Sequence, residues 1–281
     1  MTSSGGGWSP GQLPDFRIAA AHDLTHANDP GKLPRMGLDV TTVADGVHLA
    51  GTGLVNWVVL VEGDRVALID CGYPRDVGAV EESVRRAGRR PEDIEAVLVT
   101  HAHVDHIGTL PELRRRYGVR VLAGDVEARH VRGEVHESAT PRDVLLRSYR
   151  PRIAAWGVRA ALAGGTRHPV VDSVGTIPLG VPLDLPRAPV ALALVGHTSG
   201  HTAYVLPGAG AIALGDALAT GHPTSARTGP QVLLDFFHHD PARVRETLRD
   251  LAEVQADQLL PGHGGHLERP LALAIEQALT T

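Results

Sequence analysis

Strand-like and helix-like hydrophobic patterns alternate along most of the chain. The segments LDVTTVADGVHLAG and VNWVVLVEGDRVALID contain short apolar runs, and the second predicts a hairpin that turns at residues 62–64. Apolar positions then recur at helical spacing over 77–87, before Gly88, and IEAVLVT follows as a short buried strand. This alternation predicts an α/β fold, with helices packed on sheets.

The same alternation continues to the end of the chain. The further predicted elements are a helix in HIGTLPELRRRYG, a strand in VRVLAG, helices within about 124–168, strands within 169–206 and 210–215, a helix capped by Asp240-Pro241, a strand before PGHG, and a helix over 268–279. Because no linker divides the chain, residues 37–281 are predicted to form a single domain, with 124–168 as a helical cap insertion. Residues 1–36 are rich in Gly, Pro, Ser and Asp, and predict an N-terminal arm that is loosely ordered or wrapped over the surface.

The composition narrows the classes of protein. The 281 residues are 43% hydrophobic and 21% charged, as expected of a globular protein, and the net charge of −5 gives no general attraction to nucleic acid or anionic membrane. With a single cysteine, Cys71, an internal disulfide and a Cys-rich zinc site are both impossible. The sequence shows no secretory signal and no apolar run of about 18 residues, so we predict a cytoplasmic protein without membrane or nucleic-acid partners.

The stretch THAHVDHIG places three histidines and one aspartate within six positions. His101 and His103 follow a predicted strand and are two residues apart, so their side chains point the same way and can share one metal ion. Asp105 and His106 come where the chain bends into a helix and can face a second position. Imidazole and carboxylate are zinc-type ligands, although a polar turn that happens to be rich in histidine is the alternative.

Three further segments place a histidine or an acid just beyond an apolar strand. His197 follows APVALALV in the segment GHTSGHT, Asp216 follows AIALG, and His263 lies in LLPGHG. Open α/β sheets gather their sites at the carboxyl ends of their strands. We therefore expect all these side chains to converge on one cleft.

The order of motifs HxHxDH, GHTxGH, GD and PGHG resembles that of the metallo-β-lactamase superfamily. The upstream VALIDCG is similar to the early strand of that family that ends in Asp-Thr-Gly, with Cys71 where Thr is usual. The resemblance implies a four-layer αβ/βα sandwich with two divalent metal ions at one edge, most often Zn²⁺, with Fe or Mn as alternatives. The implied ligands are His101, His103 and His197 for the first ion, Asp105, His106 and His263 for the second, and Asp216 as the bridge between them.

Other residues receive supporting roles. The resemblance makes Asp70 a residue that holds the ligand loop, although a plain turn carboxylate is equally consistent with its position. We interpret His201 as a buried hydrogen-bonding residue, and Thr198 as a partner of backbone groups in the ligand turn. An apolar wall for the substrate could come from the aromatic residues Trp57, Tyr149 and Trp156, for which packing in the core is the alternative.

The remaining histidines carry less chemical signal. His238 could line the cleft, because it lies in the loop that follows the bridging acid, and the same holds for His239. His266 could support the ligand loop, since it closely follows PGHG. We interpret His130 and His222 as surface residues in polar segments.

The predicted reaction is attack of a metal-bridging hydroxide, oriented by Asp105, on the carbonyl of a small ester, thioester or lactone. Phosphodiester or phosphonate-ester hydrolysis on the same site is the alternative, and it would be favoured by arginines near the cleft. The candidate arginines are Arg147, Arg150 and Arg152. Hydrolysis of a β-lactam and a non-catalytic metal-binding role are the remaining alternatives.

Several departures separate the chain from particular branches of the family. A bridging acid such as Asp216 is not used by true β-lactamases, and lactonases of the family carry a tyrosine where this chain has Ala219. The sequence ends 18 residues after His263, which leaves no room for the helical region that binds glutathione in glyoxalase II-type enzymes. The basic arm of the tRNA-processing nucleases is not evident either. A small-molecule acyl substrate fits best, and the oligomeric state is not predicted.

Overall fold

The structure is a computed structural model that describes residues 37–280; the predicted arm over 1–36 lies outside them. Its first sheet has seven strands in the order of the chain. The strands are β1 (Asp39–Ala44), β2 (Val47–Gly51), β3 (Asn56–Glu62), β4 (Arg65–Ile69), β5 (Ile94–Leu98), β6 (Arg120–Ala123) and β7 (Gly175–Thr176). The first four are antiparallel, and β4 to β7 are parallel.

The second sheet has five strands in the order β14-β13-β10-β9-β8, and a separate two-stranded hairpin lies beside it. The strands are β8 (Val190–Ala193), β9 (Thr202–Leu206), β10 (Ala211–Gly215), β11 (Ala219–Gly221), β12 (Thr228–Gln231), β13 (Gln258–Pro261) and β14 (Leu267–Glu268). Strands β10 and β13 run parallel, so the residues that follow both strands lie at the same edge. The hairpin β11–β12 was not predicted.

Helices pack on the outer face of each sheet, and further helices lie in the segments between strands. They are α1 (Val77–Arg86), α2 (Val104–Ile107), α3 (Leu110–Tyr117), α4 (Asp125–Val131), α5 (Pro141–Arg147), α6 (Pro151–Leu162), α7 (Pro241–Leu251) and α8 (Leu271–Thr280). Apolar residues of α1, α3 and α4 form one buried cluster with the first sheet, and those of α7 and α8 form another with the second.

A third apolar cluster lies between the two sheets. It includes Leu60 and Leu98 from the first sheet and Tyr204 and Leu260 from the second, all fully buried. Burial of one such aliphatic side chain contributes roughly 1.5–3 kcal/mol. Helix, sheet, sheet and helix thus form four layers, which confirms the predicted fold class.

The predicted start of α7 is confirmed, and α5 begins with a cap that was not predicted. Asp240 caps α7: its carboxylate accepts a hydrogen bond from the Arg243 backbone N–H at 2.9 Å, and Pro241 follows at the first helical position. Thr140 and Asp143 form a reciprocal capping box at the start of α5. These caps fix where the chain enters each helix.

The stretch from 177 to 189 was predicted within a region of strands but is largely irregular. Prolines lack the N–H that a sheet ladder needs, and four of them interrupt this stretch, at positions 178, 182, 186 and 189. Ile177 and Leu185 still pack into the cluster between the sheets. The apolar positions were therefore buried as expected, but without the predicted strand.

The helical segment predicted over 124–168 divides into two parts. Ala128 and Val131 of α4 are fully buried in the cluster of the first sheet, so α4 belongs to the outer helical layer. No residue of α5 is buried, and α6 buries Ile153 and Ala160. We use "cap" below for α5 and α6. Within residues 37–280, no helix has the length and apolar content of a membrane span.

Candidate metal centre

Four strand ends meet at one edge of the paired sheets. The segment with His101 follows β5, His197 follows β8, Asp216 follows β10, and His263 follows β13. The PGHG turn needs its first glycine, because a Cβ at Gly262 would lie 2.3 Å from Asp216 Oδ1. Backbone from one strand end therefore passes directly against the carboxylate from another.

The predicted ligands form two groups of three. The ligand atoms of His101, His103 and His197 all lie within 4.8 Å of one another, and so do those of Asp105, His106 and His263. Such spacing allows each group to hold one ion.

Asp216 lies between the two groups. Its Oδ2 is 3.0 Å from His263 Nε2 and 3.6 Å from His197 Nε2, and its Oδ1 is 3.2 Å from His106 Nε2. The carboxylate therefore contacts histidines of both groups, in the position that a bridging ligand requires.

The outward ring nitrogens of two ligands are fixed by backbone carbonyls. His263 Nδ1 is 2.7 Å from the Leu54 carbonyl oxygen, and His103 Nε2 is 2.7 Å from that of Glu137. A carbonyl oxygen only accepts, so each of these nitrogens carries the proton. The inward nitrogens, Nε2 of His263 and Nδ1 of His103, are then unprotonated in the neutral rings and can bind a metal.

Asp70 fixes two more ligands. Its Oδ2 accepts hydrogen bonds from His106 Nδ1 at 2.8 Å and from Thr100 Oγ1 at 2.6 Å. The Thr100 hydroxyl donates its one proton to Asp70. It therefore accepts a hydrogen bond from His101 Nδ1, which is 3.0 Å away. Asp70 has a positive φ of 62°, a conformation uncommon for residues other than glycine, which turns its carboxylate beneath the ligand loop.

The fifth histidine is fixed by a residue outside the motifs. His197 Nδ1 lies 2.9 Å from His238 Nδ1, and His238 Nε2 lies 3.3 Å from the Leu233 carbonyl oxygen. Burial is the main cause that lowers the pKa of His238, to about 4, so its ring is neutral at pH 7. With its proton on Nε2, His238 accepts from His197 Nδ1, and His197 Nε2 points inward unprotonated.

In their neutral forms, all five histidines thus direct an unprotonated nitrogen toward the same small volume. His101 Nε2, His106 Nε2 and Asp216 Oδ1 are buried there without a hydrogen-bond partner among the described residues. Lone pairs and a carboxylate at these distances repel one another unless a cation lies between them. The donor set, five imidazoles and two carboxylates, therefore fits two divalent ions.

The same carboxylates alter the pKa values of their neighbours. Burial lowers the pKa of His106, but Asp216, Asp105 and Asp70 outweigh it and raise that pKa well above the ordinary value. Burial and the neighbouring imidazoles lower the pKa of His101. A proton on His106 competes with a metal for the same nitrogen, so metal binding is expected to release protons.

Glu127 is a supporting residue that the sequence reading missed. Its Oε1 accepts from the Ala102 N–H and its Oε2 from the Thr198 hydroxyl, both at 2.6 Å. Burial is the main cause that raises the pKa of Glu127, to about 7. This side chain joins the loop of His101 and His103 to the loop of His197. In the sequence it is an ordinary glutamate in the first turn of a helix, with no motif around it.

The structure places other predicted residues both near the centre and away from it. His201 Nε2 accepts from the Asp216 N–H at 3.3 Å, as expected of a supporting residue. Trp156 is near the centre: its ring lies 5.8 Å from that of His222, which stands 4.7 Å from the ligand His263. His222 is buried, contrary to the prediction of a surface position, because it packs beneath the cap.

Two residues of the predicted substrate wall lie elsewhere. Trp57 is 1% exposed and donates to Ser83 Oγ of α1 at 2.9 Å, so it belongs to the core. Tyr149 is 75% exposed on the cap. His130 is buried beside Ser199, whereas the prediction was a surface position, and His266 pairs with Gln258.

Asp70→Asn is expected to weaken metal binding roughly 10–100-fold, since residues that orient metal-bound histidines have effects of that size. Asp70 Oδ1 accepts from the Thr100 backbone N–H at 2.8 Å, and Oδ2 accepts from the Thr100 hydroxyl and from His106. An amide has one accepting oxygen, so it cannot accept at both of these positions. Titration of each protein against a competing chelator measures the affinity. Asp184→Asn, a carboxylate with a side chain 97% exposed, is the matched control. Equal affinities of Asp70→Asn and the wild type would show that the orientation supplied by Asp70 is dispensable.

Comparisons with known proteins agree with this geometry. Residues 50–263 match the family model of the Metallo-beta-lactamase superfamily. The chain is 25% identical over 236 residues to a probable metallo-hydrolase, YflN, of Bacillus subtilis, a match that covers 79% of this chain and 84% of that protein. It is 30% identical over 208 residues to a hydroxyacylglutathione hydrolase of Acidiphilium cryptum, covering 74% of this chain and 63% of that protein.

Solved structures share the architecture. One is BJP-1, a subclass B3 metallo-beta-lactamase of Bradyrhizobium japonicum, with a TM-score of 0.62 and 19% identity over 88% of this chain and 92% of that one. Another is a metallo-beta-lactamase family protein of Thermus thermophilus, with a TM-score of 0.58 and 22% identity over 85% and 80% of the two chains. At these identities the likeness is one of fold.

Proposed function

The chain belongs to the metallo-beta-lactamase superfamily, and on that premise we propose that it is a metal-dependent hydrolase of small esters, thioesters or lactones with a dinuclear centre. The observation that carries this proposal is the pair of three-residue groups with Asp216 between them. Each histidine of the groups is held in the tautomer that binds metal. This is the arrangement that hydrolysis with two ions requires.

Two bound dications, Zn²⁺ or else Fe or Mn, would lower the pKa of water toward about 7 and polarise a carbonyl oxygen. The residues of the chain supply position and proton control. Asp105 is partly exposed to the cleft, and its Oδ2 lies 3.5 Å from His263 Nε2. In this proposal its carboxylate orients the attacking water.

Tyr73 supplies a proton donor that the motifs did not suggest. It is 2% exposed and packs against Ala160 of the cap. Burial, followed by the charges of Asp105 and Asp216, raises the pKa of its hydroxyl well above the ordinary value. Tyr73 therefore keeps its proton beside the predicted ligand Asp105. Because the side chain is almost fully buried, we assign it as a residue that positions Asp105.

The preference for an acyl substrate rests on the wall of the cleft. Trp156 contacts Phe237 at 5.2 Å between ring centroids, and both contact His222 beside the ligand His263. Such an aromatic wall suits an apolar acyl group. The relatives named hydroxyacylglutathione hydrolases support a thioester. A small-molecule substrate in the cytoplasm remains our prediction.

Phosphodiester hydrolysis remains the second candidate, because Arg147 and Arg150 line a cavity close to the metal centre. A substrate panel distinguishes the two functions. Zinc-loaded protein is assayed with an aryl ester, an acyl thioester, a γ-lactone, a chromogenic phosphodiester and a chromogenic β-lactam, each with and without chelator. We expect chelator-sensitive turnover of the carbonyl substrates, the thioester or lactone fastest. Faster turnover of the phosphodiester or the β-lactam would overturn the proposal.

A further inference from the structure

A cavity lies between the cap, the loop over 232–236 and the end of α8. Its volume is about 400 Å³, and no predicted metal ligand is among the described residues that line it. The charged residues of its wall are four arginines and one carboxylate. They are Arg147, Arg150, Arg227, Arg245 and Asp235.

Positive charge exceeds negative charge in this wall. Arg245 donates to Asp235 Oδ1 at 3.1 Å, so the one carboxylate of the wall is already paired with an arginine. Arg147 lies 3.6 Å from Asp143 and places its guanidinium 4.5 Å from the centre of the Phe236 ring, which holds it toward the cavity. Arg150 has no carboxylate within 4.0 Å among residues 37–280. The cavity is therefore suited to an anion.

The cavity and the metal centre share one wall. Phe236 lines the cavity and stacks on Phe237 at 4.1 Å, and Phe237 contacts Trp156 in the cleft. Leu233 also lines the cavity, and its carbonyl oxygen accepts from His238, the partner of the ligand His197. The arginines of the cavity and the metal centre therefore lie on opposite sides of the same short loop, residues 232–238.

We propose that this cavity binds the phosphate groups of the substrate's leaving half, so that the substrate is an acyl thioester of a phosphate-bearing thiol of the coenzyme A class. The proposal rests on the function proposed above. Guanidinium forks match phosphate oxygens, and Val232 and Leu233 offer apolar contact to an aliphatic stem. Because the arginines stand apart from the metal ligands, they hold a phosphate that does not react, which separates this role from phosphodiester hydrolysis.

The kinetic test compares acetyl-coenzyme A with the acetyl thioester of N-acetylcysteamine, which lacks phosphates. In Arg147→Gln/Arg150→Gln, KM for acetyl-coenzyme A is expected to rise on the order of 10- to 100-fold. Its kcat, and both constants for the short thioester, stay unchanged. Arg150→Gln alone, which breaks no ion pair, shows a smaller rise of the same kind. Arg159→Gln, on α6 but outside the cavity wall, is the matched control. Equal KM values in all proteins overturn the proposal.

A direct binding measurement distinguishes failure of the proposed function from failure of the proposed phosphate site. If neither thioester is hydrolysed, the proposed function has failed, and the cavity is then judged by calorimetry with adenosine 3′,5′-bisphosphate. Binding by the wild type that is lost in the double variant supports a site for organic phosphate. No binding by the wild type, or equal binding by both proteins, overturns it. Binding of inorganic phosphate alone, with unchanged KM values, overturns the assignment to a substrate tail.

Discussion

Asp216→Asn is expected to lower kcat/KM for the best substrate on the order of 10³-fold, more than the 10–100-fold typical of residues that only orient ligands. The carboxylate lies between the two groups of ligands, 3.0 Å from His263 Nε2 and 3.2 Å from His106 Nε2. A neutral amide offers one acceptor and no charge to offset the repulsion of two dications. The side chains are nearly equal in size, so the packing around residue 216 is retained.

The measurement pairs steady-state kinetics with the metal content of the purified protein. We expect fewer than two equivalents of metal in Asp216→Asn and an unchanged circular dichroism spectrum. Asp64→Asn, at a side chain that is 99% exposed, is the matched control and should behave as wild type. Full activity of Asp216→Asn with two bound ions would exclude a bridging role.

Removal of the metal ions is expected to lower the thermal midpoint by about 8–16 °C. Free metal at 1,000 times its Kd stabilises the folded state by about 4 kcal/mol. A chain of this size shifts by about 2–4 °C for each kcal/mol. The physical cause is the mutual repulsion of inward lone pairs and carboxylates, which the ions relieve.

Scanning calorimetry before and after chelation, with zinc added back, measures this effect. The original midpoint should return with the added zinc. His48→Ala, which removes a histidine paired with Thr42 far from the centre, should show the same response as wild type. A midpoint unaffected by chelation would mean that the centre forms without ions, contrary to the geometry described above.

The seven candidate ligands could be selected from the sequence because each follows a strand and lies in a short motif. Such features can be recognised from a few neighbouring residues. Examples are two histidines that are two residues apart on extended backbone, and a histidine between glycines. The structure brings these residues together as expected. The fold was predictable for the same reason, since the periodic spacing of apolar residues in the sequence indicates the buried faces of strands and helices.

The supporting residues were less predictable, because their partners are distant in sequence. Glu127 contacts Thr198, 71 residues away, and His238 contacts His197, 41 residues away. Nothing around Glu127 distinguishes it from a solvated helix residue. Trp57 was placed in the substrate wall because it is aromatic and near a hairpin, but its indole packs against α1, where it donates to Ser83.

The distribution of ligands over the two sheets has a consequence for how the chain is held together. The first sheet supplies His101 to His106, and the second supplies His197, Asp216 and His263. With one cysteine, the chain has no covalent cross-link of its own. Bound ions would close one loop of 94 residues, from His103 to His197, and a second of 157 residues, from His106 to His263. A disulfide provides this kind of constraint in secreted proteins. The proposed metal centre would therefore also be a reversible cross-link between the two sheets, in addition to the apolar cluster that packs between them.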